Sequence, residues 1–230
     1  MSERTLVFLD AGVLADPVTR TLLMLSRPHS DFTAVWSVRA ERQATGHLRP
    51  DAAPLATVRD AYGTETTPAG SFPDRFTATK PDDRASLADA EAAGARFLVT
   101  RDVHGFDLAD LATARISAVG ADLFLAERMS SASYVDALDL FSQTRARPRR
   151  TLERLHAAIA ARYPQLFAVH AHLYDVDVVQ RLPEPREQFR GLRCLRCERV
   201  TMRADDPHSG VCATCLHEAE AGSREALRAV

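Results

Sequence analysis

The stretch Leu6-Val7-Phe8-Leu9-Asp10 decides the fold, because it is a short apolar run that ends in an acid. A continuous apolar run of this length is typical of a strand buried on both faces, as in a parallel sheet covered by helices. A second such run, Phe97-Leu98-Val99-Thr100, is followed by Arg101 and Asp102. Because parallel strands end at the same edge of a sheet, the two runs predict that Asp10 and Asp102 lie close together.

Helical patterns alternate with these strands and complete the predicted fold. Ser37 is a predicted N-cap directly after Trp36, and Asp82 is a predicted N-cap of the helix before the second strand. The segment 63–80 is rich in Thr, Pro and Gly and is a predicted loop. The predicted helices span residues 13–25, 37–48, 50–62, 82–93 and 121–128, and a further predicted strand spans 116–119. This alternation predicts an α/β fold, an α/β/α sandwich on a parallel sheet.

The size and charge of the chain limit its class. Its 230 residues allow one domain of ordinary size with a smaller appendage, and 46% hydrophobic residues supply a core. The net charge of −2 gives no overall positive field, so any contact with nucleic acid must use a local patch. No stretch approaches the ~20 apolar residues of a membrane span, and residues 1–9 lack the pattern of a secretion signal. We therefore expect a cytoplasmic protein without membrane association.

Acidic residues at the predicted strand ends are candidate metal ligands. Asp10 and Asp102 follow the two strands, where sites form in open α/β sheets. Asp83 starts the helix before the second strand, and Glu41 lies in the first turns of the helix after Trp36, from which it would reach inward. Carboxylates held within a few ångströms repel one another and stay ionised only when Mg²⁺ or Mn²⁺ bridges them. Such an ion would deprotonate a water for in-line attack on a phosphodiester.

Each of these aspartates also has a simpler structural interpretation. An aspartate after a strand is often a turn former or an N-cap, and this applies to Asp10 and Asp102. Asp107 is an alternative ligand close to the second strand. The joint pattern of Asp10, Asp83 and Asp102, rather than any one of them, favours the metal site.

The arrangement resembles the PIN-domain family, the fold of VapC-type toxin ribonucleases, over about residues 5–128. The residues that carry the resemblance are Phe8-Leu9-Asp10-Ala11-Gly12-Val13-Leu14, Trp36-Ser37 with Glu41, Asp82-Asp83-Arg84 with Ala88 and Ala90, and Leu98-Val99-Thr100-Arg101-Asp102 with Phe106. The resemblance implies a PIN-like sandwich and a metal-dependent endoribonuclease, a hydrolase of RNA phosphodiesters. The implied Mg²⁺ or Mn²⁺ ligands are Asp10, Glu41, Asp83 and Asp102. Thr100 would hold this cluster through its hydroxyl, and a toxin would bind RNA and an antitoxin protein.

Two positions depart from the family pattern. Gly12 stands where the family usually has a small polar residue, such as asparagine, that supports the first aspartate, and the loss of that hydrogen bond would loosen the site. Glu41 lies slightly closer to Trp36 and Ser37 than the glutamate of the family's helix usually does. The alternative hypothesis is therefore a degenerate PIN domain, a non-catalytic module that binds RNA or protein.

A second enzyme class shares the first motif. Residues 7–14 superficially resemble the first motif of haloacid-dehalogenase phosphatases, in which the aspartate at the position of Asp10 is the nucleophile. That chemistry needs a second acid two residues later, where this chain has Gly12. The sequence therefore disfavours this class.

All the cysteines lie near the C-terminus, in Cys194-Leu195-Arg196-Cys197 and Cys212-Ala213-Thr214-Cys215. Two CxxC turns separated by a loop are typical of a tetrahedral zinc site with four thiolate ligands. Disulfides are disfavoured in a cytoplasmic chain, and a redox pair lacks its usual strand–helix setting. The segment resembles a zinc ribbon, in which structural Zn²⁺ would supply much of the folding free energy.

Arginines surround the cysteine pairs and suggest a basic face. They are Arg190, Arg193, Arg196, Arg199 and Arg203. Such a face would contact a phosphate backbone, or the arginines would only solvate a small module, and a protein contact is a further alternative.

The segment between the nuclease-like part and the cysteines is predicted to be helical. Its densest positive patch contains Arg145, Arg147, Arg149 and Arg150, either a solvated loop or a rail that guides RNA toward the metal. The apolar helical face from Leu152 to Leu173 would cover the sheet, or form a groove for an antitoxin or a homodimer partner. His156, His170 and His172 are predicted to be surface or boundary residues. The expected division is therefore 1–130 for the PIN-like domain, 131–182 for a helical extension, and 183–230 for the zinc ribbon and tail.

Overall fold

The structure, a computed structural model, describes residues 4–26, 32–50, 52–144, 151–175, 187–200 and 210–218. These residues form a sheet of six strands in the order β3-β2-β1-β4-β5-β6. The strands are β1 (Thr5–Leu9), β2 (Phe32–Ser37), β3 (Thr66–Thr67), β4 (Phe97–Thr100), β5 (Ser117–Gly120) and β6 (Phe189–Arg190). The pairings from β3 to β5 are parallel, and only β6 runs antiparallel to its neighbour. The predicted α/β class with a parallel sheet is confirmed.

Helices connect the strands and pack in groups. They are α1 (Ala11–Leu14), α2 (Pro17–Ser26), α3 (Val38–Thr45), α4 (Leu55–Tyr62), α5 (Arg84–Ala92), α6 (Leu108–Ala114), α7 (Ala121–Arg128), α8 (Ser131–Thr144), α9 (Leu152–Ala160) and α10 (Pro164–His170), with a further short helix at 213–218. Contacts join α2, α7, α8, α9 and α10 into one group, and α5 contacts α6 in another. No helix among the described residues is long and apolar enough to cross a membrane.

The core lies on the central strands, as their apolar runs predict. Every residue of β4 and β5 is buried, and so are Phe8 and Leu9 of β1. Phe32 of β2 meets Phe124 of α7 edge to face, with ring centroids 5.1 Å apart. This burial fixes the register of β1 on β4, and with it the position of the acids that follow both strands.

Strand β2 was missed by the sequence prediction, which began a helix directly after Trp36 and placed no strand before it. Trp36 is instead a fully buried residue of the strand, and the helix begins one position after Ser37. The aromatic and β-branched residues of 32–36 favour the extended chain, and pairing with β1 fixes it. The predicted N-cap is correct, because the Ser37 hydroxyl accepts a hydrogen bond of 2.9 Å from the amide of Ala40.

Two further predicted helix starts were wrong. Helix α4 begins at Leu55 rather than near residue 50, with Pro54 at its N-cap position. Helix α5 has Asp83, not Asp82, at the N-cap position, and the Asp83 side chain makes no capping hydrogen bond. The Asp83 carboxylate is thus left for other partners.

The predicted helical extension folds back on the rest of the protein. Leu155, Ile159, Leu166 and Phe167 are buried, so most of the predicted apolar face covers the molecule's own core rather than lining an open groove. His156 and His170 are also buried, contrary to the prediction. They lie on that same apolar face: the Tyr134 hydroxyl is 2.8 Å from His156 Nδ1, and the His170 ring stacks on the Tyr134 ring at 4.4 Å. The patch containing Arg145 to Arg150 lies outside the described residues.

The described residues after 186 are built onto the sheet. Strand β6 pairs with β5, and Glu198 binds the starts of two other strands through the Thr5 hydroxyl and Arg96. Arg128, at the end of α7, also donates to Glu198 at 2.8 Å. The division predicted at residue 183 therefore does not correspond to a separation of these residues from the sheet.

Candidate metal centres at the two ends of the sheet

The parallel topology brings the ends of β1 and β4 together. The amide of Asp10 donates a hydrogen bond of 3.0 Å to the carbonyl of Val99, so Asp10 lies beside Thr100. Asp102 follows two residues later. The sheet therefore places the two strand-terminal acids at the same end, as the sequence predicts.

Asp10 is held by a set of hydroxyl and amide donors. Its Oδ2 accepts a hydrogen bond of 3.0 Å from Thr100, as predicted, and its Oδ1 accepts one of 2.8 Å from Ser86. Oδ1 also accepts from the amide of Ala11 at 2.8 Å, so Asp10 is the N-cap of α1 as well. The role of Ser86 was missed, and the only available signal was its position one helical turn after Asp83.

The glycine at position 12 does not leave Asp10 without support. A Cβ added to Gly12 would lie 3.3 Å from Cδ of Arg101, so the Arg101 side chain fills the space where a side chain at position 12 would begin. Ser86 on α5 donates to Asp10, so this carboxylate has a side-chain donor although Gly12 offers none. Whether Gly12 loosens the site stays a prediction.

Asp83 is an acid of this cluster whose surroundings disfavour the charged form. It is half-buried, and burial together with the negative charges of Asp10 and Asp102 raises its pKa to about 6. Its Oδ2 lies where a Cβ of residue 105 would be, so a side chain at position 105 would displace this carboxylate. A carboxylate in this position is stabilised by a proton or by a cation.

Asp102 lies at the open side of the cluster beside the chain's only lysine. Lys80 Nζ donates to Asp102 Oδ2 at 2.9 Å, and this hydrogen bond is the main reason that the pKa of Asp102 is lowered. Oδ1 accepts from the amide of His104 at 3.0 Å. Both side chains of the pair are more than half exposed, so solvent screens the interaction strongly.

Glu41 has partners of its own. Its carboxylate accepts from Trp36 Nε1 at 2.8 Å, and Arg59 Nη1 lies 3.1 Å from both of its oxygens. Only 19% of the side chain is exposed. To act as the predicted fourth ligand, Glu41 would have to leave Trp36 and Arg59.

The other acids near the cluster have structural roles. Asp107 is the N-cap of α6 and accepts from the amide of Ala109 at 2.8 Å, which favours the simpler interpretation of this alternative ligand. The buried Asp89 accepts from the Ser37 hydroxyl and, at 2.7 Å, from the amide of Gly70. Asp83 differs from both because it caps nothing.

The four cysteines form the tighter cluster. Within the described ranges, they are the group of potential ligands whose donor atoms lie within 4.8 Å of one another. No disulfide joins them, and the Cys197 and Cys212 sulfurs are 3.8 Å apart. That separation matches the edge of about 3.8 Å for a tetrahedron of sulfurs around Zn²⁺ at ~2.3 Å. The predicted four-cysteine site is thus geometrically suited to a metal such as zinc.

Backbone amides also point at these sulfurs. Cys194 Sγ accepts hydrogen bonds from the amides of Arg196, at 3.4 Å, and Cys212, at 3.3 Å. Burial and the neighbouring sulfurs raise the pKa of the Cys215 thiol. A bound cation would hold the thiolates that the protein alone disfavours.

Most of the described arginines of the predicted basic face form hydrogen bonds or ion pairs within the protein. Arg193 donates to the carbonyls of Glu198, at 2.6 Å, and Arg115, at 3.5 Å. Arg196 pairs with Glu127 at 2.6 Å, and Arg190 pairs with Glu187 at 3.0 Å. Arg199 is exposed, and Arg203 lies outside the described residues. These contacts indicate that the arginines hold the cysteine-containing segment on the rest of the protein. Arginines engaged in this way are not free to bind a nucleic acid.

The two clusters lie at opposite ends of the strands. The acids follow the carboxyl ends of β1 and β4, whereas Arg193 and Glu198 contact the residues that begin β1, β4 and β5.

In comparisons with known proteins, no family model, no curated protein and no solved structure matches the chain. The chemistry of the two ends therefore carries the functional conclusion.

Proposed function

We propose that the protein is a divalent-metal-dependent endoribonuclease with a PIN-like catalytic domain and a structural zinc site. The observation that carries the proposal is the position of Asp83, half-buried beside Asp10 and Asp102, where burial and these two charges raise its pKa despite the attraction of the exposed Lys80. Clustered carboxylates at the carboxyl ends of parallel strands favour a hard divalent cation, Mg²⁺ or Mn²⁺. Structural interpretations account for Asp107 and Asp89, but none accounts for Asp83.

The residues of the site divide into ligands and supports. Asp10, Asp83 and Asp102 would hold the cation, and Ser86 and Thr100 orient Asp10 through its two oxygens. When bound, the cation would lower the pKa of a water and stabilise the charge of a phosphodiester under attack. Glu41 would act as the fourth ligand only if its carboxylate left Trp36 and Arg59 and turned to the cation.

Lys80 and Arg101 supply positive charge at the open side. Lys80 pairs with Asp102 at 2.9 Å. If Asp102 held a cation, the Lys80 ammonium would be available to contact the phosphate of a nucleic-acid strand. Arg101 lies over Gly12 and is exposed on the same side.

The phosphatase alternative is weaker than the nuclease proposal. Both carboxylate oxygens of Asp10 accept hydrogen bonds, from Ser86 and Thr100, which suits a fixed ligand better than a nucleophile. Gly12 supplies no second acid.

The second candidate function is the non-catalytic binding module. It is favoured by the spacing of the acids, since in the described part of the chain only the cysteines form a group of three or more potential ligands with donor atoms within 4.8 Å of one another. It is also favoured by the Lys80–Asp102 pair, which already neutralises one acid. RNA binding without cleavage would decide for this candidate. An antitoxin or homodimer partner belongs to the same proposal only as an expectation from the family resemblance.

The test is cleavage of single-stranded RNA by purified protein with Mn²⁺ or Mg²⁺. We expect metal-dependent cleavage by the unaltered protein and its loss in Asp10→Asn and Asp83→Asn. Asp82→Asn is the matched control, because it removes an exposed acid next to Asp83 and should leave cleavage unchanged. Equal cleavage in all four proteins would show that the activity comes from another site or a contaminant.

A further inference from the structure

The cysteine-containing segment extends to the acid end of the sheet. Because β6 is antiparallel to β5, the residues just before β6 lie beside the carboxyl end of β5. The amide of Gly120, the last residue of β5, donates to the carbonyl of Gln188 at 2.6 Å. Glu187 is therefore placed at the end of the sheet where the acids are.

Glu187 and Arg190 hold the loop that carries Asp102. Oε2 of Glu187 lies 2.9 Å from His104 Nδ1. Arg190 donates to both oxygens of Glu187 at 3.0 Å, and its Nη1 donates to the carbonyl of Phe106 at 3.1 Å. The pair thus binds a side chain and a carbonyl of the segment 102–107, although it lies more than 80 positions away in sequence.

That loop contacts two of the proposed ligands. The amide of His104 donates to Asp102 Oδ1 at 3.0 Å. Gly105 lies against the carboxylate of Asp83, and its carbonyl accepts from the amide of Lys80 at 2.9 Å. The position of the loop therefore determines the separation between the Asp83 and Asp102 carboxylates. The Glu187 side chain is only 13% exposed, whereas the His104 side chain is 55% exposed.

We propose that Glu187 and Arg190 are positioning residues of the acid site, and that they act by fixing the 102–107 loop. The inference rests on the proposed function in that the acids must bind a divalent cation. It assigns the C-terminal segment a role in the catalytic end as well as in its own cysteine site. Partners that orient ligands typically change metal affinity by about 10- to 100-fold when removed.

The sign of the effect separates positioning from simple electrostatics. Arg190 carries a positive charge close to Asp102 and Asp107. If charge alone mattered, Arg190→Gln would remove a repulsive cation and tighten Mn²⁺ binding. If Arg190 positions the loop, the same change loosens Mn²⁺ binding.

The experiment measures the Mn²⁺ dissociation constant by EPR on full-length, zinc-loaded protein. We expect Arg190→Gln to raise this constant about tenfold or more. Arg190→Lys keeps the charge but not the geometry, and should raise it as well. Arg196→Gln is the matched control, since it breaks an ion pair of the same segment, with Glu127, and should leave Mn²⁺ affinity unchanged.

A metal-independent readout accompanies the affinity. We expect faster amide hydrogen exchange in 102–107 for Arg190→Gln than for Arg196→Gln, at equal global stability. An unchanged or lower Mn²⁺ dissociation constant in folded Arg190→Gln and Arg190→Lys would overturn the inference alone. Absence of Mn²⁺ binding to the unaltered protein would overturn the proposed function and the inference together.

Discussion

The acid end and the thiolate end of the sheet are both clusters of anionic groups, but they are built differently. The four sulfurs lie within 4.8 Å of one another and the cysteines are mostly buried, so this site is compact and closed. The acids are more widely spaced, and Asp102 is 54% exposed and paired with Lys80. Structural metal sites are closed, whereas catalytic sites keep a position open for water or substrate. On this contrast we propose a structural role for the thiolate end and a catalytic role for the acid end.

The largest expected effect is on the thiolate end. Cys212→Ser should abolish the binding of one zinc per chain and destabilise the protein by about 3 kcal/mol or more, because the metal contributes directly to folding. Zinc content by mass spectrometry and urea unfolding would measure both effects. A variant that loses zinc but unfolds at the same urea concentration would show that the contacts of Glu198 with Thr5, Arg96 and Arg128 suffice to hold the segment.

Asp83→Asn should have opposite effects on activity and stability. Cleavage should fall by about a hundredfold or more, as when a group that stabilises transition-state charge is removed. Because its pKa is raised to about 6, ionised Asp83 destabilises the fold above that pH, so the neutral amide should stabilise the metal-free protein by about 1 kcal/mol. Calorimetry at pH 8 without divalent ions measures this gain. Asp82→Asn serves as the control, and a lower melting temperature for Asp83→Asn would assign Asp83 a structural role.

The difference between the two ends also explains what the sequence could predict. The spacing of the cysteines and an aspartate at the end of an apolar run both involve residues that are close in sequence. Both signals can therefore be recognised in the sequence alone. Parallel topology then brings Asp10 and Asp102 together without further information. Strand β2 was missed because Trp36 and Ser37 also fit a helix start, and only pairing with β1 decides between the two.

Side-chain partners that are distant in sequence had no such signal. Nothing local indicates that Ser86 supports Asp10, that Arg59 holds Glu41, or that Glu187 contacts His104. The same limit applies to His156 and His170, whose burial depends on how α9 and α10 pack on α8. The candidate ligands could thus be proposed from the sequence. The contacts that orient them, or that engage them with other partners, could be identified only from the three-dimensional structure.

The helical extension is a third region, and its two buried histidines should make the stability of the protein depend on pH. Burial is the main cause that lowers the pKa of His170 to about 4 from 6.5, and burial also lowers the pKa of His156. The fold favours the neutral His170 ring over the protonated one. Its contribution to stability is therefore fully present above pH 6.5 and is lost as the pH falls toward 4. We expect a loss of about 2 kcal/mol from His170 between pH 6.5 and pH 5.

Unfolding free energies at pH 7 and pH 5 measure this loss. His170→Phe should reduce the pH dependence, whereas His172→Gln, at the exposed neighbouring histidine, should not. An equal pH dependence in both variants would place the acid sensitivity elsewhere. The result also separates loss of activity through unfolding from loss of activity at the acid end.

The smallest expected effect is the pH dependence of Mn²⁺ binding at the acid end of the folded protein. A cation must displace the proton from Asp83 below its pKa of about 6, so Mn²⁺ affinity should be constant above that pH. Below it, the dissociation constant should rise about tenfold per pH unit. Asp102 adds nothing in this range, because its pKa is lowered by Lys80 and it stays ionised. In Asp83→Asn the weaker residual binding should be nearly independent of pH between 5 and 7. A parent-like slope in that variant would mean that another group carries the proton, and Asp83 would lose its place at the centre of the site.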